Sequence, residues 1–196
     1  RGLGDVYKRQ TSKDPIRKLN ASGDDVMPEN EFTERPMGDY DESGKSLSNL
    51  TNIAVADDGR FAVLDSVYSR IFVYSSDGNL MYEFGGSGNA EGKLNSPVGI
   101  CFMDEKVLVV DLAYQSVEVF APTEYGHLIN QGLEAQSRYD YDEAAGYWQQ
   151  VLDINNNFYY ANLGLGKYQL RVGEYDEAMT NFYKGGDRSY YCLLYT

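Results

Sequence analysis

The stretch at residues 53–65, IAVADDGRFAVLD, decides the fold of the first half of this chain. Two short apolar runs flank the acidic pair and glycine at 57–59, which is a turn signal for a β-hairpin. Residues 100–111, ICFMDEKVLVVD, repeat this arrangement 46 to 47 positions later and end on the same residue type, aspartate. The sequence therefore predicts a repeated pair of antiparallel strands.

The repeat extends beyond the hairpin in both directions. The aligned segments are 47–53 with 94–100, 70–74 with 116–120, and 16–23 with 71–78. A second hairpin, with Ser-Asp-Gly-Asn at 76–79, completes a unit of four short strands, and a glycine-rich crossover follows at 85–88. Four antiparallel strands that recur every 46 or 47 residues are typical of β-propeller blades.

A different period governs the second half of the chain. The tetrapeptide YDEA occurs at 141–144 and again 34 residues later at 175–178. At the same offset Gly132 aligns with Gly166, and Trp148 aligns with Phe182. This period is that of helix–turn–helix repeats, in which a small residue lets two helices approach closely. The predicted helices are 123–138, 142–153, 157–171 and 175–184.

Both halves resemble known repeat families. The pattern PVGI at 97–100, the hairpin ending at Asp111 and the strand VEVF at 117–120 resemble NHL repeats over residues 15–121, with departures at Leu50 and Ser116. The second half resembles tetratricopeptide repeats, with departures at Gln131 and Tyr139. The resemblance implies an α+β chain: antiparallel four-stranded blades of a partial NHL β-propeller, followed by an all-α tetratricopeptide-repeat helical array.

The resemblance also implies a cellular context. Bacterial proteins combine NHL and tetratricopeptide repeats, and in some of them a signal sequence precedes the propeller and a Yip-type membrane domain follows. Such an arrangement implies that this chain lies outside the cytoplasmic membrane and is tethered to it.

The two ends of the chain are expected to share an origin outside the protein. DVYKRQ at 5–10, when back-translated and inverted, reads as CLLYT at 192–196, and both match the mosaic end of a transposon adapter used for sequencing libraries. We therefore predict adapter sequence at 1–10 and 192–196, a partial propeller of about two and a half blades at 11–121, and two tetratricopeptide repeats at 122–191.

Composition excludes several classes of function. The formal net charge is −13, and it falls to −15 without the terminal residues, which contain three cations and one acid. Phosphate contacts require a basic surface, so this charge argues against nucleic acid and against an anionic membrane surface as partners. With only two cysteines, Cys101 and Cys192, we expect neither a disulfide framework nor a Cys-based metal site.

Several residues are of types that can bind metals or take part in catalysis, but the sequence around them does not support such a site. Residues 39–44 begin like a calcium loop, but Leu50 stands where a bidentate glutamate is required, so an acidic surface loop is expected. Asp65 and Asp111 end matching strands, which favours capping of backbone amides over paired catalytic carboxylates. His127 has no metal-ligand spacing around it, and Cys101 is expected in the core. The sequence thus predicts no catalytic residue, cofactor or metal.

The candidate binding surface is a groove formed by the first helix of each helical pair. Helical spacing from the two aligned glycines places eight residues there: Ile129, Leu133, Gln136, Tyr160, Leu163, Lys167, Leu170 and Arg171. Lys167 and Arg171 share a face and could bind a carboxylate or an acidic peptide. The alternative is that they offset nearby acids such as Glu174 and Asp176.

These observations favour a non-catalytic protein–protein interaction or scaffold module whose groove binds a peptide or protein partner. Two alternatives remain open at the level of sequence. One is a propeller-based lyase or hydrolase whose active-site residues lie in further blades, and the other is a carbohydrate-binding surface protein.

Overall fold

The computed structural model describes residues 16–27, 38–39 and 47–195. The chain divides into two compact units, Arg1–Ala121 and Pro122–Thr196, which we call the sheet unit and the helical unit. The predicted adapter residues 1–10 and residues 40–44 of the acidic loop at 39–44 lie outside the described residues.

The sheet unit contains two antiparallel sheets. The strands are β1 (Leu50–Val55), β2 (Phe61–Asp65), β3 (Arg70–Tyr74), β4 (Leu80–Gly85), β5 (Pro97–Met103), β6 (Lys106–Asp111) and β7 (Ser116–Phe120). The first sheet has the order β1-β2-β3-β4, and the second has the order β5-β6-β7. The α+β class, the four-stranded unit and the three strands of the following unit are therefore confirmed.

The register of the two sheets reproduces the sequence repeat. Asp65 pairs with Arg70 across β2 and β3, and Asp111 pairs with Ser116 across β6 and β7. These positions are 46 residues apart. Because side chains alternate between faces along a strand, equal register places equivalent residues of the two sheets on equivalent faces.

The core of the sheet unit lies between the sheets. Leu64 and Val73 of the first sheet belong to one buried apolar cluster with Val107 and Val109 of the second. The rings of Phe84 and Phe120 meet across this interface with their centroids 4.8 Å apart. Face-to-face packing of antiparallel sheets thus buries one face of each.

The opposite face of the first sheet is covered by residues 16–27. Ile16 and Met27 are buried against Phe61, Val63 and neighbouring side chains. Since Ile16 aligns with Ile71, the same repeat position packs against the following sheet twice in this unit.

The outer face of the second sheet is exposed. Val119 is 55% exposed, whereas Val73, its equivalent 46 residues earlier, is 0% exposed. Cys101 pairs with Leu108 in the sheet and is exposed, so the expectation that Cys101 lies in the core is wrong. The reason is that alternation along β5 turns Phe102 toward the first sheet and Cys101 away from it.

The helical unit consists of five helices. They are α1 (Glu124–Ser137), α2 (Tyr141–Ile154), α3 (Tyr159–Val172), α4 (Tyr175–Gly185) and α5 (Arg188–Tyr195). The first four begin and end within two residues of their predicted bounds. The fifth includes Cys192, Leu193, Leu194 and Tyr195, for which the sequence predicts adapter origin.

Local chemistry explains where the helices begin. The Thr123 hydroxyl accepts a hydrogen bond from the backbone N–H of Gly126, and the Asp140 carboxylate accepts one from the backbone N–H of Glu143. Both caps satisfy amides that the first helical turn leaves without a partner. The helix α3 ends at Val172, and the capping residue Gly173 has a left-handed φ of 89°, which is favourable for glycine.

Aromatic rings on one helix pack against glycines on the neighbouring helix. A Cβ atom on Gly132 would lie 2.8 Å from the ring of Trp148, and one on Gly166 would lie 3.1 Å from the ring of Phe182. Trp148 and Phe182 are both buried. The two aligned pairs therefore make equivalent contacts, as the period of 34 predicts. Within the described residues, no helix is long and apolar enough to cross a membrane.

Candidate functional site

The predicted groove does not form as a single exposed face. Ile129, Leu133 and Tyr160 are buried, so the expectation that the first two lie on an exposed face is wrong. The buried residues of α1, from Ile129 to Ala135, wrap about 220° of the helix at 3.6 residues per turn. A helix buried over that arc has no apolar face left for a ligand.

The remaining groove residues lie on α3, apart from Gln136 on α1. Leu163 and Leu170 are half-buried, Lys167 and Arg171 are exposed, and Gln136 is half-buried. We call Leu163, Lys167, Leu170 and Arg171 the α3 face, since their spacing places them on one side of that helix.

The two cations of the α3 face, Lys167 and Arg171, have no described ion pair, in contrast to three arginines elsewhere in the chain. Arg60, Arg70 and Arg138 each contact a carboxylate, of Asp58, Asp39 and Glu134 among others. Arg171 instead stacks its guanidinium 4.3 Å from the ring centre of Tyr141. Among the described residues, no carboxylate lies within ion-pair distance of Lys167 or Arg171. They therefore do not offset Glu174 or Asp176 through an ion pair.

A cavity of about 480 Å³ opens beside Arg171, at the turn between α1 and α2. We call it the turn cavity. It is lined by Arg138, Tyr139, Asp140, Tyr141, Asp142, Tyr168, Arg171 and Val172. Sequence reasoning identified Arg171 but missed the cavity as a site.

Polar contacts hold the side chains of the turn cavity in place. Arg138 Nη1 lies 2.8 Å from Glu134 Oε1, and Arg138 Nη2 lies 2.9 Å from Glu143 Oε2. Partial burial, the charge of Asp142, a hydrogen bond to Asp142 and the charge of Glu174 raise the pKa of Tyr168. The phenol of Tyr168 therefore keeps its proton to higher pH than an isolated tyrosine does.

Tyr139 has an unusual backbone. Its φ is +63°, in the left-handed region, and its counterpart in the second helical pair is Gly173 with φ +89°. In the sequence, the signal for this turn is the tyrosine at position 139, where the repeat pattern has glycine.

A second cavity of about 430 Å³ lies among α2, α3 and α4. Two buried amides at its wall are engaged in the fold. Asn162 Nδ2 donates to the backbone oxygens of Asn156 and Phe158, and Asn181 Nδ2 donates to Gln169 Oε1 at 2.6 Å. The Asn181 bond joins α4 to α3, and the Asn162 bonds tie α3 to the loop before it, which explains the burial of both asparagines.

The paired aspartates of the sheet unit have the structural role that the sequence predicted. Asp65 Oδ1 accepts from the backbone N–H of Asn49 and of Val67. Asp111 accepts from four backbone N–H groups, those of Asn95, Ser96, Ala113 and Tyr114. Desolvation alone would raise the pKa of Asp111, but these four donors outweigh it and lower the pKa. Both carboxylates are thus committed to local turns.

The residues that the structure describes do not form a candidate metal site. No group of three or more His, Cys, Asp or Glu side chains is placed there to hold an ion. His127 lies on the exposed side of α1.

Comparison with known proteins adds no assignment. The sequence matches no model of a known protein family, and no curated protein matches it. The site must therefore be interpreted from its own geometry.

Proposed function

We propose that this protein is a non-catalytic interaction module whose helical unit binds a protein or peptide partner through carboxylates of that partner. The observation that carries the proposal is the state of the two cations on the α3 face. Lys167 and Arg171 stand without a described carboxylate partner in a chain of net charge −13.

The geometry of Arg171 suits this role. A guanidinium stacked on an aromatic ring keeps its N–H groups in a plane, from which it can donate two parallel hydrogen bonds to a carboxylate. Lys167 lies one helical turn earlier and adds a second positive charge on the same side. Half-buried Leu170 supplies apolar contact beside the charges, whereas Leu163 packs against Gly185 of α4.

The α3 face is tested by selecting binders from a peptide library displayed on phage. We expect acidic peptides to be enriched, and we expect Lys167→Glu to weaken their binding about tenfold or more, because an attraction becomes a repulsion. Binding is measured by isothermal titration with the best peptide.

The matched control is Lys184→Glu, which makes the same change in net charge on α4. It should bind the peptide as the parent does, and circular dichroism should show both variants folded. Equal binding by the parent and the Lys167→Glu variant would remove the α3 face from the proposal.

For the fold, we propose that the sheets are blades of an NHL-type β-propeller and that the helices form a tetratricopeptide-repeat array. Support comes from the stacking in the sheet unit. Residues 16–27 pack on the first sheet and the first sheet packs on the second, each through equivalent positions. A further sheet of the same repeat, placed by the same relation, would cover Val117 and Val119 on the outer face of the second sheet.

Two equivalent valines test this stacking. In the present chain, Val119→Lys should change the free energy of unfolding by about 0.5 kcal/mol or less, whereas Val73→Lys should cost about 4 kcal/mol or more because it buries a charge. In a chain extended by further repeats, Val119→Lys should become as costly as Val73→Lys. If Val119→Lys changed the free energy of unfolding of the extended chain as little as it does here, the proposal that a further sheet covers Val119 would be contradicted. Urea denaturation measures both.

A further inference from the structure

Tyr139 occupies a backbone conformation that its side chain makes costly. A non-glycine residue in the left-handed region is strained by contact between its Cβ atom and the backbone, and glycine avoids that strain. The equivalent position in the second helical pair is Gly173, so the fold at this turn accepts glycine. The ring of Tyr139 does not repay the strain by burial, because the residue is 78% exposed.

The ring of Tyr139 forms part of an aromatic wall at the turn cavity. It meets Tyr141 in an edge-to-face contact with centroids 6.4 Å apart, and Tyr168 lines the same cavity. Tyr141 and Tyr168 are half-buried, and Tyr141 is stacked on Arg171. Tyr139 is the exposed ring of this wall, and it offers an apolar face to a ligand. A volume of about 480 Å³ falls within the usual range of small-molecule sites.

The polar groups of the turn cavity are balanced in charge. Two arginines and two aspartates line it, so its formal charge is zero. Asp140 already caps α2, and Asp142 lies beside Tyr168 in the lining of the cavity. Arg138 is held by two glutamates. The lining side chains thus offer donors and acceptors together but carry no net charge among themselves.

We propose that the turn cavity is a binding site for a neutral saccharide. Sugar hydroxyls both donate and accept hydrogen bonds, which matches carboxylates and guanidinium groups placed side by side. The C–H face of a pyranose ring matches the exposed face of Tyr139. An anionic ligand would meet Asp140 and Asp142, and a cationic ligand would meet Arg138 and Arg171, so each is disfavoured by half of the lining.

The test is a titration of the intact chain with maltose, cellobiose and lactose, followed by amide chemical shifts. We expect saturable binding of at least one of them in the millimolar range, with shifts at residues 138–142 and 168–172. Tyr139→Gly should weaken that binding about five- to tenfold through loss of the ring, while its Tm stays equal or rises because the strain is removed.

Tyr183→Ala is the matched control, since it removes an exposed tyrosine from α4. It should bind the sugar as the parent does. Arg171 belongs both to the turn cavity and to the α3 face, whereas Lys167 belongs to the α3 face alone. Lys167→Glu should therefore leave sugar binding unchanged while it weakens peptide binding. Three results would each overturn the saccharide site: no shift with any of the three sugars at tens of millimolar, equal binding by Tyr139→Gly, or stronger binding of glucuronate or glucosamine than of the neutral sugars.

Discussion

Replacing Trp148 with alanine is expected to lower the free energy of unfolding of the helical unit by about 4 kcal/mol. The side chain is fully buried, lies against Gly132 and Gly164, and meets Tyr160 edge-on with centroids 5.6 Å apart. Its removal leaves a cavity that the backbones of two helices cannot close without moving. Urea denaturation followed by far-UV circular dichroism measures the change.

Two glycines in neighbouring helices provide the control for this prediction. In Gly132→Ala the new Cβ would lie 2.8 Å from the Trp148 ring, so a loss of about 1–3 kcal/mol is expected. In Gly146→Ala the new Cβ meets no atom within 4 Å, so a gain of about 0.5–1 kcal/mol from helix propensity is expected. Stabilisation by both substitutions would show that Trp148 does not fill the space between these helices.

Replacing Asp111 with alanine is expected to lower the free energy of unfolding of the sheet unit by about 3 kcal/mol. Four backbone N–H groups lose their acceptor at once, at the point where β6 ends and the turn to β7 begins. Asp57→Ala is the control, because Asp57 is exposed in the β1–β2 turn, and it should change stability by about 0.5 kcal/mol or less.

The carboxylate of Asp111 also makes the free energy of unfolding of the sheet unit depend on pH. Because the pKa of Asp111 is lower in the folded state than its ordinary 3.8, the unfolded chain binds the proton more readily as the pH falls. The stability that the carboxylate provides is therefore complete above about pH 4 and is lost as the pH falls through the lowered pKa. Asp111→Asn should flatten this acid limb. An unchanged acid limb would mean that other carboxyl groups cause it.

Periodicity predicted the antiparallel strands and the helix pairs because each repeat contains its own turn and packing signals. The acid–glycine turn at 57–59 predicted the hairpin of β1 and β2, whose register is observed. The aligned aspartates, Asp65 and Asp111, predicted where the equivalent strands end. Gly132 and Trp148 likewise identified a helix pair, since a missing side chain on one helix must face a large one on the other.

The candidate site was harder to predict because exposure depends on the packing of several helices at once. Helical spacing correctly grouped Lys167 with Arg171 but could not show that Ile129 and Leu133 are covered. It also could not show that Cys101 faces outward, because the pattern of β5 is apolar on both sides. The turn cavity combines residues from two separate segments, 138–142 and 168–172, which no single stretch of sequence brings together.

The most direct test of the proposed function is a complementary charge reversal between Lys167 and a selected acidic peptide. The account predicts that Lys167→Glu loses the peptide, and that a peptide with one glutamate changed to lysine restores binding to this variant but binds the parent poorly. If no reversed peptide recovers binding, or if the reversed peptide binds the parent equally well, then Lys167 does not contact a carboxylate of the partner and the interaction surface has been placed wrongly.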